Sequence, residues 1–441
     1  MAGFERKLAG IAILGLAART WFMMSSTRFH APTFDASYYD LSAKAISQGH
    51  WFVDPVVLYS QHRLAPSALY PPAYTLVLAL FDAVGIRSRP SHLFVGCCLG
   101  AVTIVLCGYL ARKFLSDRAS LAVAALAAVY PPLLGADTSG MSETLFVPLI
   151  LVTLLVAMEC RAHRVWPWAL MGVTIGLAAL TRGDGLIYLP VLAVPIAVYS
   201  DGSARRKVAL LGLTTAVVVV MLAPWAIRNE VTFGSPVLLA NDSSTVIGGA
   251  NCAAAYHGPY LGSWVPACLD ANRPGAQQMT EVQLNDKIRQ EGLSYMAGHL
   301  GRVPLVVAVR VLRTYGFYAP TQEFRLAVHQ GREYGAERIG WLFYILLLPF
   351  AILGARRLFV RRADLPPGQL IALVAPLVAV TLVTVITYGT VRFRIAAEPT
   401  LLVLAVMGAT VVGRGLPRRP GRAETVAPLV GASASTAVMV P

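Results

Sequence analysis

Residues 70–85, YPPAYTLVLALFDAVG, are the apolar stretch whose interpretation decides the fold. A membrane-spanning helix needs about 20 apolar residues, and this one begins with two prolines and carries Asp82. If it spans, the basic clusters at 205–207 and 356–362 fall outside the cell. If it lies at the interface, all six basic clusters of the chain fall inside. Because cytoplasmic loops are rich in Lys and Arg, the sequence predicts a juxtamembrane helix here.

The composition requires lipid around much of the chain. Of 441 residues, 56% are hydrophobic and 14% are charged, and the mean hydropathy is +0.61. A soluble domain has about 45–50% apolar and about 25% charged residues. The net charge of +14 falls in short clusters between apolar segments, which indicates topology rather than nucleic-acid binding. The basic N-terminus resembles a signal peptide, but no A-x-A site follows its long apolar run, so we predict a retained span.

The sequence therefore predicts an all-α polytopic membrane protein with about ten spans and both termini in the cytoplasm. The predicted spans are 8–24, 92–111, 119–135, 143–160, 165–181, 185–200, 208–226, 339–355, 369–388 and 395–413. The predicted units are an N-terminal transmembrane module at 1–227 with a first outer loop at 25–91, an outer loop at 228–338, C-terminal transmembrane helices at 339–413 and a disordered cytoplasmic tail at 414–441.

Cysteine usage agrees with an outward-facing second loop. Four of the six cysteines lie in apolar spans, where they are small core residues. Cys252 and Cys268 lie in the long loop, and an oxidising exterior would allow a disulfide between them. Neither a zinc-type Cys/His spacing nor a carboxylate cluster argues for a metal, so we expect no metal and no cofactor.

Charges at the predicted outer end of the bundle are the candidate functional residues. They are Asp137 and Glu143, Arg182 and Asp184, Arg392 and Arg394, and Arg228. Taken alone, each of these residues is explained as well by snorkelling, or by an ion pair between turns, as by a functional role. Together they indicate a cavity, because ionisable groups at membrane depth are costly unless they face one another or water. Arginine suits phosphate, so the set indicates an anionic headgroup presented from the membrane.

The stretch FDASYYDLSAKAISQGHWF, residues 34–52, predicts an amphipathic helix from Ala36 to Gln48 that stops at Gly49. Asp35 precedes this helix, and two interpretations stay open. It is either a helix N-cap, or a carboxylate at the cavity edge that accepts a proton from a hydroxyl. Asp40 lies one turn later in the helix and is the second candidate for the carboxylate that accepts the proton.

The organisation resembles the C-type (GT-C) superfamily of membrane glycosyltransferases, in the family 39-like branch of protein O-mannosyltransferases and the lipid A aminoarabinose transferase. The resemblance runs from residue 1 to about 413, and uncharacterised actinobacterial members are closest. The motifs that carry it are FDASYYDLSAKAISQGHWF, YPPAYTLVLALF, MSETLFVPLILV, LAALTRGDGLIYLP, LAPWAIRNEVTFGSPVLL and YGTVRFRIAAEP.

The resemblance implies a GT-C fold and an inverting glycosyltransferase of the bacterial cytoplasmic membrane, with its active site on the extracytoplasmic face. Its partners would be a polyprenyl-phosphate sugar donor, membrane lipid and an unknown glycan, lipid or protein acceptor. Asp35 matches the catalytic acid, and Glu143 matches a later acidic position, with Asp137 nearby. Tyr70 stands where the family commonly has His or Lys. The remaining candidates are Arg392, Arg394, Arg228 and Arg182 for the donor phosphate, and Tyr38, Tyr39 and Tyr70 for the pocket.

Three other functions stay open. One is a transporter or flippase of an amphipathic anionic glycolipid, although such proteins tend to carry charges near the midplane and inverted repeats. Another is a non-catalytic assembly partner that kept the fold. The third is a ligase that uses a diphosphate-linked donor.

Overall fold

The computed structural model describes residues 2–27, 33–269 and 279–412, so the predicted disordered tail lies outside the described residues. Within these ranges the chain is helical apart from turns and two isolated β-bridges, which confirms the all-α class. The first ten helices are α1 (Ala2–Ser25), α2 (Phe34–Ser47), α3 (Pro55–Gln61), α4 (Pro72–Ala83), α5 (Arg89–Arg112), α6 (Asp117–Val129), α7 (Pro131–Asp137), α8 (Glu143–Ala157), α9 (Trp166–Thr181) and α10 (Val194–Tyr199). The others are α11 (Ala204–Phe233), α12 (Asp242–Ala250), α13 (Ala253–Tyr256), α14 (Glu281–Gly298), α15 (Val303–Thr314), α16 (Pro320–Val328), α17 (Tyr334–Val360), α18 (Pro367–Ile386) and α19 (Glu398–Val412).

Several helices are long and apolar enough to cross a membrane. In the described part of the chain, six helices have the length and composition of a membrane span. The number rises to eight if each of two bent helix pairs is one span. The six are Gly3–Ser25, Arg89–Arg112, Ala204–Phe233, Tyr334–Val360, Pro367–Ile386 and Val391–Val412. The chain is therefore a multi-pass membrane protein.

The predicted count of ten exceeds this number because four predicted spans form broken or short helices. The span predicted at 119–135 is a pair, α6 and α7, bent by 55° at Tyr130–Pro131. Proline cannot continue the hydrogen bonding of a preceding helix, which accounts for the break. Helices α8 and α9 have 15 and 16 residues, and 3-10 and π turns interrupt 183–199.

The decisive stretch at 70–85 forms α4, a helix of 12 residues. At 1.5 Å per residue it is about 18 Å long, well short of the roughly 30 Å hydrocarbon core. It packs against α2, and Tyr74 and Leu78 lie in a small core with Tyr39 and Ala43. The length of α4 therefore agrees with the predicted juxtamembrane helix in the first outer loop.

Close packing of small residues joins the C-terminal helices. A Cβ atom at Gly354 of α17 would overlap the Leu404 carbonyl of α19, and one at Gly408 would overlap the Phe350 carbonyl of α17. Glycine at both positions therefore lets the two backbones touch. Such contacts stabilise helix pairs in lipid, where no hydrophobic effect drives association.

The predicted disulfide forms between Cys252 and Cys268, which are separated by 16 residues. It flanks a small core that contains Ala255, Tyr256 and Val265. The bond therefore fixes the second outer segment locally.

We expect Cys252→Ser to make this segment less stable towards local opening by about 3 kcal/mol, because a cross-link over a loop of this size removes about that much unfolded-state freedom. Hydrogen exchange of residues 249–268 would measure the change. The control is Cys98→Ser, which removes a partly buried free thiol. Equal protection in the wild-type protein and Cys252→Ser would contradict the prediction.

Candidate active site

A cavity of about 660 Å³ lies where the predicted first outer loop, the turns at one end of the bundle and the predicted second outer loop meet. We call the latter the second outer segment. This volume is within the usual range of small-molecule sites, about 300–1,000 Å³. The lining residues are Tyr39, Tyr70, Pro71, Ser142, 181–184, 235–244, Val246, Ile247, Val282, Asp286, Arg289, 386–388, Arg392 and Phe393. Polar, aromatic and charged side chains are all represented.

Arg392 is the centre of the charged network at this cavity. It lies in the 3-10 helix Val391–Ala397, which joins α18 to α19. Its Nη1 donates to Asp35 Oδ2 at 3.1 Å, and its Nη2 donates to Glu143 Oε2 at 3.3 Å. Its Nε donates to Glu143 Oε1. One largely buried guanidinium therefore joins the first outer loop to the start of α8.

Arg182 completes the network from the end of α9. Its Nη1 donates to Glu143 Oε1 at 3.0 Å, and its Nη2 donates to Asp184 Oδ2 at 2.9 Å. Glu143 is thus a buried carboxylate shared by two arginines. Its carboxylate accepts from both guanidinium groups, so it positions Arg182 and Arg392 side by side.

Asp35 lies at the edge of this site. It is the second residue of α2, whose N-cap is Thr33, with Thr33 Oγ1 accepting from Ala36 N at 3.4 Å. The predicted N-cap role of Asp35 is therefore wrong, and its carboxylate oxygens accept from Tyr70 and Arg392 instead. Gly49 follows the C-cap of α2 with φ of +91°, which confirms it as the stop.

Tyr70 is a hydrogen-bond partner of Asp35. Its hydroxyl donates to Asp35 Oδ1 at 2.7 Å. Burial, followed by the charge of Asp35, raises the pKa of the Tyr70 phenol well above its usual value, so the hydroxyl stays protonated and donates. Asp35 does not itself line the cavity, but Tyr70 and Arg392, which contact it, both do.

The other two predicted pocket tyrosines differ in position. Tyr39 lines the cavity, and its ring lies 5.0 Å from those of Tyr70 and Tyr74. Tyr38 faces away and forms a 2.6 Å hydrogen bond with Ser67 Oγ. Only Tyr39 and Tyr70 therefore belong to the cavity wall.

The structure places both secondary aspartates outside the cavity. Asp40 Oδ1 contacts His92 Nδ1 at 2.7 Å, and the other ring nitrogen of His92 contacts Asp82 at 3.0 Å. Asp137 accepts from Arg19 Nε at 2.7 Å in a fully buried ion pair. Both acids are engaged in packing the bundle, so neither belongs to the candidate site.

Two predicted phosphate ligands also lie elsewhere. Arg394 is buried, donates to Glu398 at 2.6 Å and stacks on the ring of Tyr344 at 3.6 Å. Arg228 donates to the carbonyls of Ser67 and Phe52 at 3.0 and 2.8 Å and so secures the first outer loop. Of the four arginines predicted to hold the phosphate, Arg392 and Arg182 line the cavity and Arg394 and Arg228 do not.

Sequence reasoning missed Asp242, the first residue of α12, which lines the cavity. The backbone places it, because Asn241 N donates to Ala68 O at 2.9 Å and Asp242 N donates to Leu69 O at 3.2 Å. Burial raises the pKa of the Asp242 carboxyl to about 7, and the nearby charges of Asp35 and Asp184 add to this. The sequence signal was weak, since NDSS within a long polar loop is a common turn pattern.

A narrow cleft of about 20 Å³, room for about one water molecule, lies beside the arginines. Its apolar walls are Phe146, Tyr188, Ala379, Val380, Val383, Phe393 and Ala396, and Glu143, Arg182, Asp184 and Arg392 close its polar end. A polar cavity and an apolar cleft therefore meet at the two arginines. Among the described residues, no group of three or more His, Cys, Asp or Glu side chains is arranged to hold a metal ion.

Residues 70–227 match the family described as Dolichyl-phosphate-mannose-protein mannosyltransferase. No curated protein matches the sequence.

The fold resembles that of the oligosaccharyltransferase AglB from Archaeoglobus fulgidus. The apo form is 15% identical with a TM-score of 0.56, and the match covers 93% of this chain and 50% of that one. AglB in complex with an inhibitory peptide and a dolichol-phosphate is 13% identical, with a TM-score of 0.53 and the same coverage. This chain thus spans about half the length of AglB. The chain therefore shares the fold of this oligosaccharyltransferase, and its residues 70–227 match the mannosyltransferase family model.

Proposed function

We propose that the chain is an inverting glycosyltransferase that moves a sugar from a polyprenyl-phosphate donor to an acceptor hydroxyl. The observation that carries the proposal is that Arg182 and Arg392 line both the polar cavity and the small cleft with apolar walls, which the chain of the donor would widen on binding. A polyprenyl phosphate is amphipathic in the same way, with an apolar tail and an anionic head. Support also comes from the AglB structure that holds a dolichol-phosphate.

In this mechanism the arginines hold the phosphate. Arg392 and Arg182 lie side by side on Glu143, and their guanidinium groups can turn donors towards phosphate oxygens. As the bond between the anomeric carbon and the phosphate oxygen breaks, negative charge grows on the departing phosphate. Donors already in place stabilise that charge more in the transition state than in the ground state.

Asp35 is the proposed base. The acceptor oxygen forms the new bond to the anomeric carbon from the face opposite the phosphate, and its proton passes to the Asp35 carboxylate. Phosphate binding would draw Arg392 from Asp35 Oδ2, because both anions compete for the same Nη1 donor. Tyr70 still holds Oδ1 and so keeps the carboxylate oriented.

We further propose that the site faces the outside of a bacterial cytoplasmic membrane. Basic residues gather away from the cavity, where Lys113 pairs with Glu159 and Arg206 donates to the Ala162 carbonyl. By the positive-inside rule that end is cytoplasmic. The disulfide in the second outer segment agrees with an oxidising compartment beside the cavity.

The test is sugar transfer by the purified full chain in liposomes. The donors are radiolabelled mannosyl, glucosyl and galactosyl polyprenyl phosphates, and the acceptor is a cell-envelope fraction from a strain that lacks the gene. We expect one donor to label the fraction covalently. If labelled lipid crosses the bilayer without any covalent product, the chain is a transporter and the proposal fails.

A further inference from the structure

Asp242 differs from the other acids of the cavity, because it has no ion-pair or hydrogen-bond partner for its carboxylate among the described residues. Three acids line the cavity, and Arg182 holds Asp184 while Arg289 holds Asp286 at 2.9 Å. The Asp242 carboxylate makes no side-chain hydrogen bond or ion pair with any other described residue. A partly buried carboxylate that lacks a hydrogen-bond donor is unfavourable in the empty protein. A ligand that supplies such donors therefore binds more favourably.

The position of Asp242 limits what that ligand is. Asp242 is close enough to Arg182 and Arg392 for their charges to act on it, yet it lies on α12 in the second outer segment. In the proposed function the two arginines hold the donor phosphate. The sugar is joined to that phosphate by one ester bond, so it must occupy the cavity between the arginines and α12.

The surrounding backbone makes this wall rigid enough to select a sugar. Asn241, the residue before Asp242, donates its side-chain amide to Glu281 of α14 at 2.8 Å. The same glutamate accepts from the Ala68 backbone at 3.4 Å. The first outer loop, α12 and α14 are therefore tied together beside the carboxylate. A fixed acceptor pair is what recognition of neighbouring hydroxyls needs.

We infer that Asp242 is a sugar-binding residue whose carboxylate accepts hydrogen bonds from two neighbouring hydroxyls of the sugar being transferred. This inference rests on the proposed function and deepens it, because it requires the donor sugar to keep a free diol where it faces α12. It also assigns sugar selection to the second outer segment, apart from the arginines that hold the phosphate.

The test compares two kinds of lipid on the full chain in nanodiscs. One is bare polyprenyl phosphate, and the other is a panel of mannosyl, glucosyl and galactosyl polyprenyl phosphates. We expect Asp242→Asn to lower the affinity for the preferred sugar lipid by about 10- to 100-fold, the usual range for hydrogen bonds to a charged group. The affinity for bare polyprenyl phosphate should change by less than about twofold. Asp117→Asn, which alters an acid paired with Arg112 outside the cavity, is the matched control.

The dependence on pH provides a second readout. Because the pKa of Asp242 in the empty protein is about 7, affinity for the sugar lipid should fall as the pH drops below 7 and the carboxylate is protonated. A sugar phosphodiester has no ionisation in this range, and the fall should be absent in Asp242→Asn.

The outcomes separate the inference from the proposed function. If Asp242→Asn binds all lipids as the wild type does, or if the wild type prefers no sugar lipid to bare polyprenyl phosphate, the inference is overturned while the phosphate site stands. If the wild type binds none of the lipids, the proposed function itself fails.

Discussion

Asp35→Asn should lower the rate of sugar transfer by about 10²–10⁴-fold, the usual contribution of a general base. Asparagine keeps the shape of the side chain and can still accept from Tyr70, but it cannot take the acceptor proton. Single-turnover transfer at saturating donor is the measurement, because it reports the chemical step. Donor affinity should change much less than the rate.

Two controls make this result specific to proton transfer. Tyr70→Phe removes one hydrogen bond to Asp35 but leaves the carboxylate, so its loss of rate should be well below that of Asp35→Asn. Thermal unfolding of both variants checks that the fold is intact. Transfer by Asp35→Asn within threefold of the wild type, at matched expression, would remove Asp35 from the role of base.

Arg392→Ala should reduce turnover by about 10²–10³-fold and also weaken binding of the polyprenyl-phosphate donor. The expected magnitude is that of removing one preplaced donor from a site of developing negative charge. Among the described residues, loss of this arginine leaves Arg182 as the side-chain donor to Glu143, so the whole network is weakened.

Because Arg392 is buried, its replacement needs a variant that keeps the charge. Arg392→Lys retains a positive charge without the fork of donors, so it should fold like the wild type and show an intermediate loss. Arg206→Ala, which removes a hydrogen bond to the Ala162 carbonyl away from the cavity, is the control and should retain the wild-type rate. If Arg392→Ala and Arg392→Lys both bind and transfer normally, the phosphate site is wrongly assigned.

The sequence was sufficient for the class of fold and for part of the site. Charged residues at the same end of several apolar segments are expected to lie close together. One hydrogen-bonded network indeed joins Asp35, Glu143, Arg182 and Arg392. Hydropathy could not give the number of full-length spans, because it does not show where Pro131 bends a helix.

Arg392 and Arg394 show what a linear pattern leaves open. They lie two residues apart on a 3-10 helix, which has three residues per turn, so they point to different sides. Arg392 faces the cavity, whereas Arg394 turns inward to Glu398. No sequence pattern indicates this turn, because RFRI also fits an extended segment or an ordinary helix.

Asp242 was missed for a different reason. Its place depends on two backbone hydrogen bonds to Ala68 and Leu69, more than 170 positions earlier in the chain. Contacts over such a distance follow from tertiary structure alone. A loop acid is ordinary in sequence, and only the fold shows that it has no partner inside a cavity.

The central claim is that one amphipathic anion bridges the cavity and the apolar cleft. A cryo-electron microscopy structure of the full chain in nanodiscs with undecaprenyl phosphate tests it most directly. We expect the phosphate oxygens within about 3 Å of Arg392 and Arg182, with the chain running past Phe146 and Val380. A phosphate bound away from both arginines, with each of them still on Glu143, would contradict the account.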